Sequence, residues 1–144
     1  MKFLCLMLLF SIGLQAQTRA RTQVMKSSKM SPSTQVFFVS PKNNATVTSP
    51  FKIKMGVKGM DVCEANKPTE NKRCGHHHLL VDGAFIAEGQ PVPKNETHIH
   101  YGQMQKETEL TLAPGKHTLT LQFADYAHIS YGEKLSSTIT VIVK

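Results

Sequence analysis

The seven histidines are the residues of this sequence with the most chemical potential, and all of them lie after residue 75. They include two His-x-His pairs, His76 with His78 and His98 with His100. On a β-strand, residues two apart point to the same face, about 6.6–6.8 Å from each other. Imidazole nitrogens bind zinc at about 2.0–2.1 Å and also suit copper. Each pair could therefore supply two ligands to one ion.

A further ligand is expected from His128, which follows a predicted strand ending near Phe123. The predicted ligands of a copper or zinc ion are therefore His98, His100, His78, His76 and His128. His77 and His117 share a strand face with apolar residues, so we expect them to be structural or to support the ligands.

Three carboxylates, Asp82, Asp125 and Glu96, could accept hydrogen bonds that orient these imidazoles. Two metal-free alternatives remain open for the histidines, a buried hydrogen-bond network and a pH sensor. The sequence contains no P-loop, no Gly-rich dinucleotide turn and no Ser-nucleophile elbow. These absences favour a binding protein over an enzyme, and no catalytic residue is predicted.

The first residues have the pattern of a secretory signal peptide. Lys2 precedes an apolar stretch that ends at Leu14, and the small residue Ala16 precedes the expected cleavage site. We therefore predict a signal peptide over residues 1–16 and a periplasmic or secreted mature chain. No later apolar run approaches the roughly 20 residues that span a membrane, so no transmembrane segment is expected after cleavage.

Export determines how the cysteines are interpreted. Cys5 lies within the predicted signal peptide, which leaves Cys63 and Cys74 in the mature chain. Two cysteines in an oxidising compartment are expected to form a disulfide. The alternative is a pair of thiolate ligands for a soft metal, assisted by His76.

The charge of the chain is uneven. The net charge is +7, and residues 17–60 contain no acidic residue. Residues 17–34 are polar, basic and without hydrophobic periodicity, which predicts a flexible basic arm. Its expected partner is an anionic envelope component and not nucleic acid, because an exported protein rarely meets nucleic acid. A solubilising tail without a partner is the alternative.

From Gln35 to Lys144, short apolar-periodic runs alternate with turn residues. Residues 51–58 show the pattern well, because apolar side chains alternate with lysines and one glycine. We predict about seven strands and no helix over residues 35–144. Turn signals such as Asp82-Gly83 separate these strands. The fold class predicted is all-β, an immunoglobulin-like antiparallel β-sandwich.

Four ordered motifs resemble those of a small exported bacterial family, domain of unknown function 4399. The motifs are Val36-Phe37-Phe38-Val39-Ser40-Pro41, Gly75-His76-His77-His78-Leu79-Leu80-Val81-Asp82, Thr97-His98-Ile99-His100-Tyr101-Gly102 and Pro114-Gly115-Lys116-His117-Thr118-Leu119-Thr120-Leu121. The resemblance implies an envelope-located sandwich domain with histidine-bearing strands. The recurrent positions implied are His77, His78, His98, His100, His117 and His128.

This chain departs from the family pattern in two places. Its loop from Cys63 to Cys74 carries a cysteine pair, and Ile129-Ser130-Tyr131 stands where members tend to have a Pro-His step. The function expected is a non-enzymatic module that binds copper or zinc. The alternatives are a metal-free domain that binds an envelope component, and a metal-dependent enzyme of superoxide-dismutase type.

Overall fold

A computed structural model describes residues 33–144, which form nine strands and one short 3-10 turn. The predicted signal peptide, and the predicted basic arm up to residue 32, lie outside the described residues. The strands are β1 (Gln35–Ser40), β2 (Ala45–Val47), β3 (Phe51–Lys58), β4 (Asp61–Val62), β5 (Cys74–Val81), β6 (His98–Tyr101), β7 (Glu107–Leu110), β8 (Gly115–Ala124) and β9 (Ser136–Val143), and the 3-10 turn is Glu133–Leu135. Within residues 33–144, no helix has the length and apolar character needed to cross a membrane.

The strands form two sheets that pack face to face, which confirms the predicted all-β sandwich. The first sheet has the order β1-β3-β7, and the second has the order β2-β9-β8-β5-β4 with β6 also paired to β5. Most pairs are antiparallel, but β2 pairs with β9 and β4 pairs with β5 in parallel. The number of strands exceeds the predicted seven because β2 and β4, of three and two residues, are too short to show periodicity.

The core lies between the two sheets and follows the predicted alternation of side chains. Ile53 and Met55 of β3 are buried against the second sheet, where β8 contributes Leu119, Leu121 and Phe123. Burying side chains of this size is the main favourable contribution to folding, about 1.5–3 kcal/mol each. The lysines of β3 point outward, and two of them, Lys52 and Lys54, lie opposite the glutamates of β7 in the strand register.

Strand β5 lies inside the second sheet, between β8 on one side and β6 and β4 on the other, and it is buried on both faces. Every residue from Cys74 to Val81 is buried, because loops from other parts of the chain cover the outer face of this sheet. In that covering layer, the Ile86 amide donates to Gln122 Oε1 at 3.0 Å, and Ser130 Oγ donates to the Ile86 carbonyl at 2.8 Å. The outer face of β5, which carries polar side chains, is therefore enclosed by other parts of the chain and is not exposed to solvent.

Cys63 and Cys74 form a disulfide, as the sequence predicted, with their Cα atoms 5.7 Å apart. A disulfide excludes the alternative in which both sulfurs are thiolate ligands. Immediately after Cys63, the Ala65 amide donates to the Gly102 carbonyl at the end of β6, and the Asn66 amide donates to the Tyr126 carbonyl after β8. The disulfide thus anchors a loop whose backbone is hydrogen-bonded to the ends of two histidine-bearing segments, β6 and the turn after β8.

Candidate metal centre

Four imidazoles meet on the covered outer face of the second sheet. His76 and His78 come from β5, His100 comes from β6, and His128 comes from the turn after β8. The antiparallel register places His78 directly opposite His100. All six pairs of rings have centroids between 4.7 and 5.8 Å apart. We refer to these four residues as the four-histidine centre.

The ring nitrogens in this centre are spaced like ligands of one ion. His76 Nε2 lies 2.9 Å from His78 Nε2, and His100 Nε2 lies 3.1 Å from His128 Nε2. Two nitrogens bound at about 2.0–2.1 Å are separated by about 3.3–3.4 Å in a tetrahedral site. Adjacent nitrogens in a square-planar site are separated by about 2.8–3.0 Å. The separation of 2.9 Å matches the square-planar value, and the separation of 3.1 Å lies between the two values.

Ring nitrogens from three of the four histidines also lie close to one another. One ring nitrogen from each of His76, His100 and His128 lies within 4.8 Å of the other two. Nitrogens bound to one ion are separated by about 3.3–3.4 Å or less, so these rings would move closer together on binding an ion.

His128 reaches the centre because of an unusual local backbone. Its φ of 67° lies in the left-handed region, which non-glycine residues seldom adopt. The Asp125 Oδ1 atom accepts hydrogen bonds from the Ala127 and Ile129 amides at 2.8 and 2.9 Å, and the Val92 amide donates to the His128 carbonyl. Asp125 therefore positions the backbone that carries His128, whereas the sequence predicted that it would orient an imidazole directly.

Burial keeps the imidazoles of β5 in the neutral form that binds metals. Burial, reinforced by the neighbouring imidazoles, lowers the pKa of His76 to about 3 and the pKa of His78 to about 2. The pKa of His100 is also lowered, first by burial and then by His128 and Lys94. A metal ion does not have to displace a proton from these rings near neutral pH.

Some ring nitrogens of the four-histidine centre have no hydrogen-bond partner among residues 33–144. Each Nε2 pair can share one proton, but the Nδ1 atoms of His76 and His78 are buried and have no hydrogen-bond partner among residues 33–144. An unsatisfied buried polar atom costs about 1–3 kcal/mol. A metal bound through Nε2 would leave both Nδ1 atoms without a partner as well, so this cost applies equally to a metal-free network and to a metal site.

The structure does not bring His98 into the four-histidine centre. His98 shares a face of β6 with His100, but the register places it opposite Leu80, towards the other end of β5. Its Nδ1 atom lies 3.0 Å from both Asn95 Oδ1 and Thr97 Oγ1. The His-x-His spacing correctly predicts a shared face, but the two rings lie in different surroundings.

His117 and Asp82 form a separate pair at the edge of the sheet. His117 Nδ1 donates to Asp82 Oδ2 at 2.8 Å, and His117 Nε2 donates to the Ala113 carbonyl at 3.0 Å. Both partners are acceptors, so the ring makes both bonds only when it is doubly protonated. The hydrogen bond to Asp82 accordingly raises the pKa of His117. Asp82 orients an imidazole outside the four-histidine centre, and the third predicted acceptor, Glu96, is exposed.

This pair gives a pH-dependent prediction. An unperturbed histidine has a pKa of about 6.5, which applies to the unfolded chain. Because folding raises the pKa of His117, this residue stabilises the fold below pH 6.5. The contribution is lost as the pH rises through the pKa of the folded state. Burial acts to raise the pKa of Asp82, but hydrogen bonds from His117 and Thr118 lower it overall. The contribution of Asp82 is lost as pH falls below its unfolded pKa of about 3.9. We expect His117→Gln to lose about 1 kcal/mol near pH 5.5 and less at pH 9, measured by urea unfolding. Equal losses at both pH values would contradict this assignment.

A cleft of about 390 Å³ is lined by His100, one residue of the four-histidine centre. Its lining includes Glu64, Lys94, Gly102 and Gln103. A β-carbon at Gly102 would lie 2.5 Å from His100 Nε2, so the absence of a side chain keeps this ring nitrogen accessible. Gly102 was not predictable as a functional residue, because its only signal in the sequence is its place after the His98–His100 motif.

Gly102→Ala tests the importance of this access. The added methyl group would overlap the imidazole of His100 and lie 2.8 Å from the Ala65 β-carbon. We expect copper affinity to fall about 10- to 100-fold, the effect typical of disturbing the surroundings of a metal ligand. Isothermal titration would measure the affinity, and circular dichroism would verify the fold. An unchanged affinity in a folded variant would show that His100 Nε2 is not a ligand.

Comparison with known families identifies the part of the chain that carries the site. The family model described as Domain of unknown function (DUF4399) matches residues 53–144. The match begins within β3 and contains the whole four-histidine centre, whereas the first of the four motifs precedes it. No curated protein and no solved structure matches the chain.

Proposed function

The chain belongs to the family described as Domain of unknown function (DUF4399), and we propose that it is an exported, non-enzymatic module that binds one copper or zinc ion. The proposed ligands are His76, His78, His100 and His128. The observation that carries the proposal is the convergence of these imidazoles, whose ring centroids lie 4.7–5.8 Å apart in every pair.

The donor atoms favour copper over other divalent ions. All four proposed ligands are imidazoles, which suit copper, zinc, iron and nickel better than magnesium or calcium. Among divalent first-row ions, intrinsic affinity is highest for Cu²⁺. The nitrogen separations of 2.9 and 3.1 Å are compatible with a geometry between square-planar and tetrahedral. Zinc is the second candidate, and metal supply would decide which ion is bound.

A closed ligand set supports binding rather than catalysis. Four protein ligands complete a tetrahedral or square-planar site, whereas catalytic zinc sites keep one position open for water or substrate. A superoxide-dismutase-type enzyme is the second candidate, because the cleft beside His100 carries Lys94, a cation that would attract a small anion. Turnover of superoxide by the copper-loaded protein, reduced in Lys94→Ala, would favour this alternative.

Export is part of the proposal. The Cys63–Cys74 disulfide is consistent with an oxidising compartment, where such bonds form and persist. The signal-peptide pattern of residues 1–16 supports the same localisation, periplasmic or secreted. In that compartment the protein would take up, hold or transfer a metal ion.

Metal content is the experiment that tests the proposal. The chain from residue 17 would be purified without a histidine tag, and its metals would be quantified by mass spectrometry before and after titration with copper and zinc. We expect about one ion per chain, removable by a chelator. Metal far below one ion per chain after supply at micromolar concentration would contradict the proposal. The metal-free envelope-binding alternative would then be favoured.

A further inference from the structure

A second cleft lies on the other side of β5, between the two sheets. It has a volume of about 240 Å³, and its lining includes His77, Met55, Met60, Asp61 and Lys106. His77 points away from the four-histidine centre because neighbouring residues of a strand alternate between faces. The two clefts therefore lie on opposite faces of β5.

His77 is a buried polar side chain with no partner. It is fully buried, and neither of its ring nitrogens has a hydrogen-bond partner among residues 33–144. One side of the ring packs edge-on against Phe123, with centroids 5.0 Å apart. An apolar residue would fit this environment at lower cost, which points to a role for the ring nitrogens.

Two methionines share this cleft with His77. Along the sequence, the methionines are too scattered to predict a copper-binding cluster. The structure brings Met55 and Met60 to the same cleft because the chain turns after β3 at Gly59, whose φ of 72° favours glycine. Met55 is 3% exposed and part of the core, whereas Met60 is half-buried.

Thioether sulfurs and a neutral imidazole form a soft donor set. Methionine sulfur selects monovalent copper over harder ions, and imidazole also binds copper. The cleft does not favour an anion, because the Lys106 ammonium is accompanied by the Asp61 carboxylate. We propose that His77, Met55 and Met60 form a second site that takes a monovalent copper ion. This site is independent of the four-histidine centre.

Silver titration of zinc-saturated protein tests the second site. Ag⁺ is a redox-inert probe with the charge and softness of Cu⁺, and zinc occupies the imidazoles of the four-histidine centre. We expect one Ag⁺ to bind per chain and Met60→Leu to weaken binding at least about tenfold, because the substitution conserves volume but removes the sulfur. Met104→Leu, which removes an exposed methionine outside the cleft lining, is the matched control and should bind as the wild type does.

Two further measurements keep the proposal falsifiable if a variant folds poorly. Silver-edge X-ray absorption of the wild type, with the disulfide intact, should show sulfur neighbours. His77→Phe should lose Ag⁺ binding and unfold at a higher temperature, because it replaces an unpaired polar ring with an apolar one. Absence of sulfur neighbours, or equal Ag⁺ affinity in the wild type and Met60→Leu, would overturn the proposal.

Discussion

Replacing His100 and His128 together with alanine should lower the affinity for copper more than about 100-fold. Disturbing only the surroundings of a metal ligand costs about 10- to 100-fold, and this variant removes two proposed ligands outright. Both side chains are half-buried, so their loss should leave the fold intact. His76 and His78 are less suitable targets because they lie on β5, in which every residue is buried. Competition titration against a copper indicator would measure the affinity.

His98→Ala is the matched control for this variant. His98 belongs to the same strand and the same face as His100, but its ring contacts Asn95 and Thr97. We expect the copper affinity of His98→Ala to remain within a few-fold of the wild type. Equal losses in both variants would indicate that copper binds along β6, outside the four-histidine centre.

The metal-free protein should lose stability steeply below pH 6.5. Burial is the main cause that lowers the pKa values of His76, His77 and His78 to about 3, 4 and 2. In the unfolded chain these side chains titrate near 6.5, so the unfolded state takes up protons that the folded state excludes. Each residue should therefore cost about 2 kcal/mol on going from pH 7 to pH 5. The sum, about 6 kcal/mol, is comparable to the whole stability of many domains.

Urea unfolding of chelator-treated protein at several pH values would measure this loss. His117 acts in the opposite direction because its pKa is raised, but the pKa values of four histidines are lowered, those of His76, His77, His78 and His100. His77→Phe should reduce the pH dependence by about one third, because it removes one of the three buried imidazoles. Equal stability at pH 7 and pH 5 would mean that the folded state takes up as many protons as the unfolded state, and hence that folding does not lower the pKa values of these histidines.

The fold was predictable because the alternation of apolar and polar residues along a strand indicates which side chains face the core. The alternation of Phe51, Ile53 and Met55 with lysines predicted β3, and Leu119, Leu121 and Phe123 predicted β8. The disulfide was predictable from the two cysteines that follow a signal-peptide pattern. Strands of two or three residues, such as β2 and β4, are specified by their pairing partners and leave no local pattern.

The candidate site was only partly predictable because strand register is a tertiary property. The spacing of His98 and His100 shows that they share a face, but only the register places His100 opposite His78. The turn that brings in His128 depends on the Asp125 carboxylate and on the covering loops. The approach of Met60 to Met55 likewise requires the turn after β3.

The most direct test of the four-histidine centre is a crystal structure of the copper-loaded protein, with anomalous diffraction measured at the copper edge. The predicted result is one strong anomalous peak on the covered face of the second sheet. A nitrogen from each of His76, His78, His100 and His128 should lie about 2.0–2.1 Å from it, by analogy with other imidazole–metal sites. An empty four-histidine centre at full copper supply, or copper bound at His98 or His117 instead, would contradict the account.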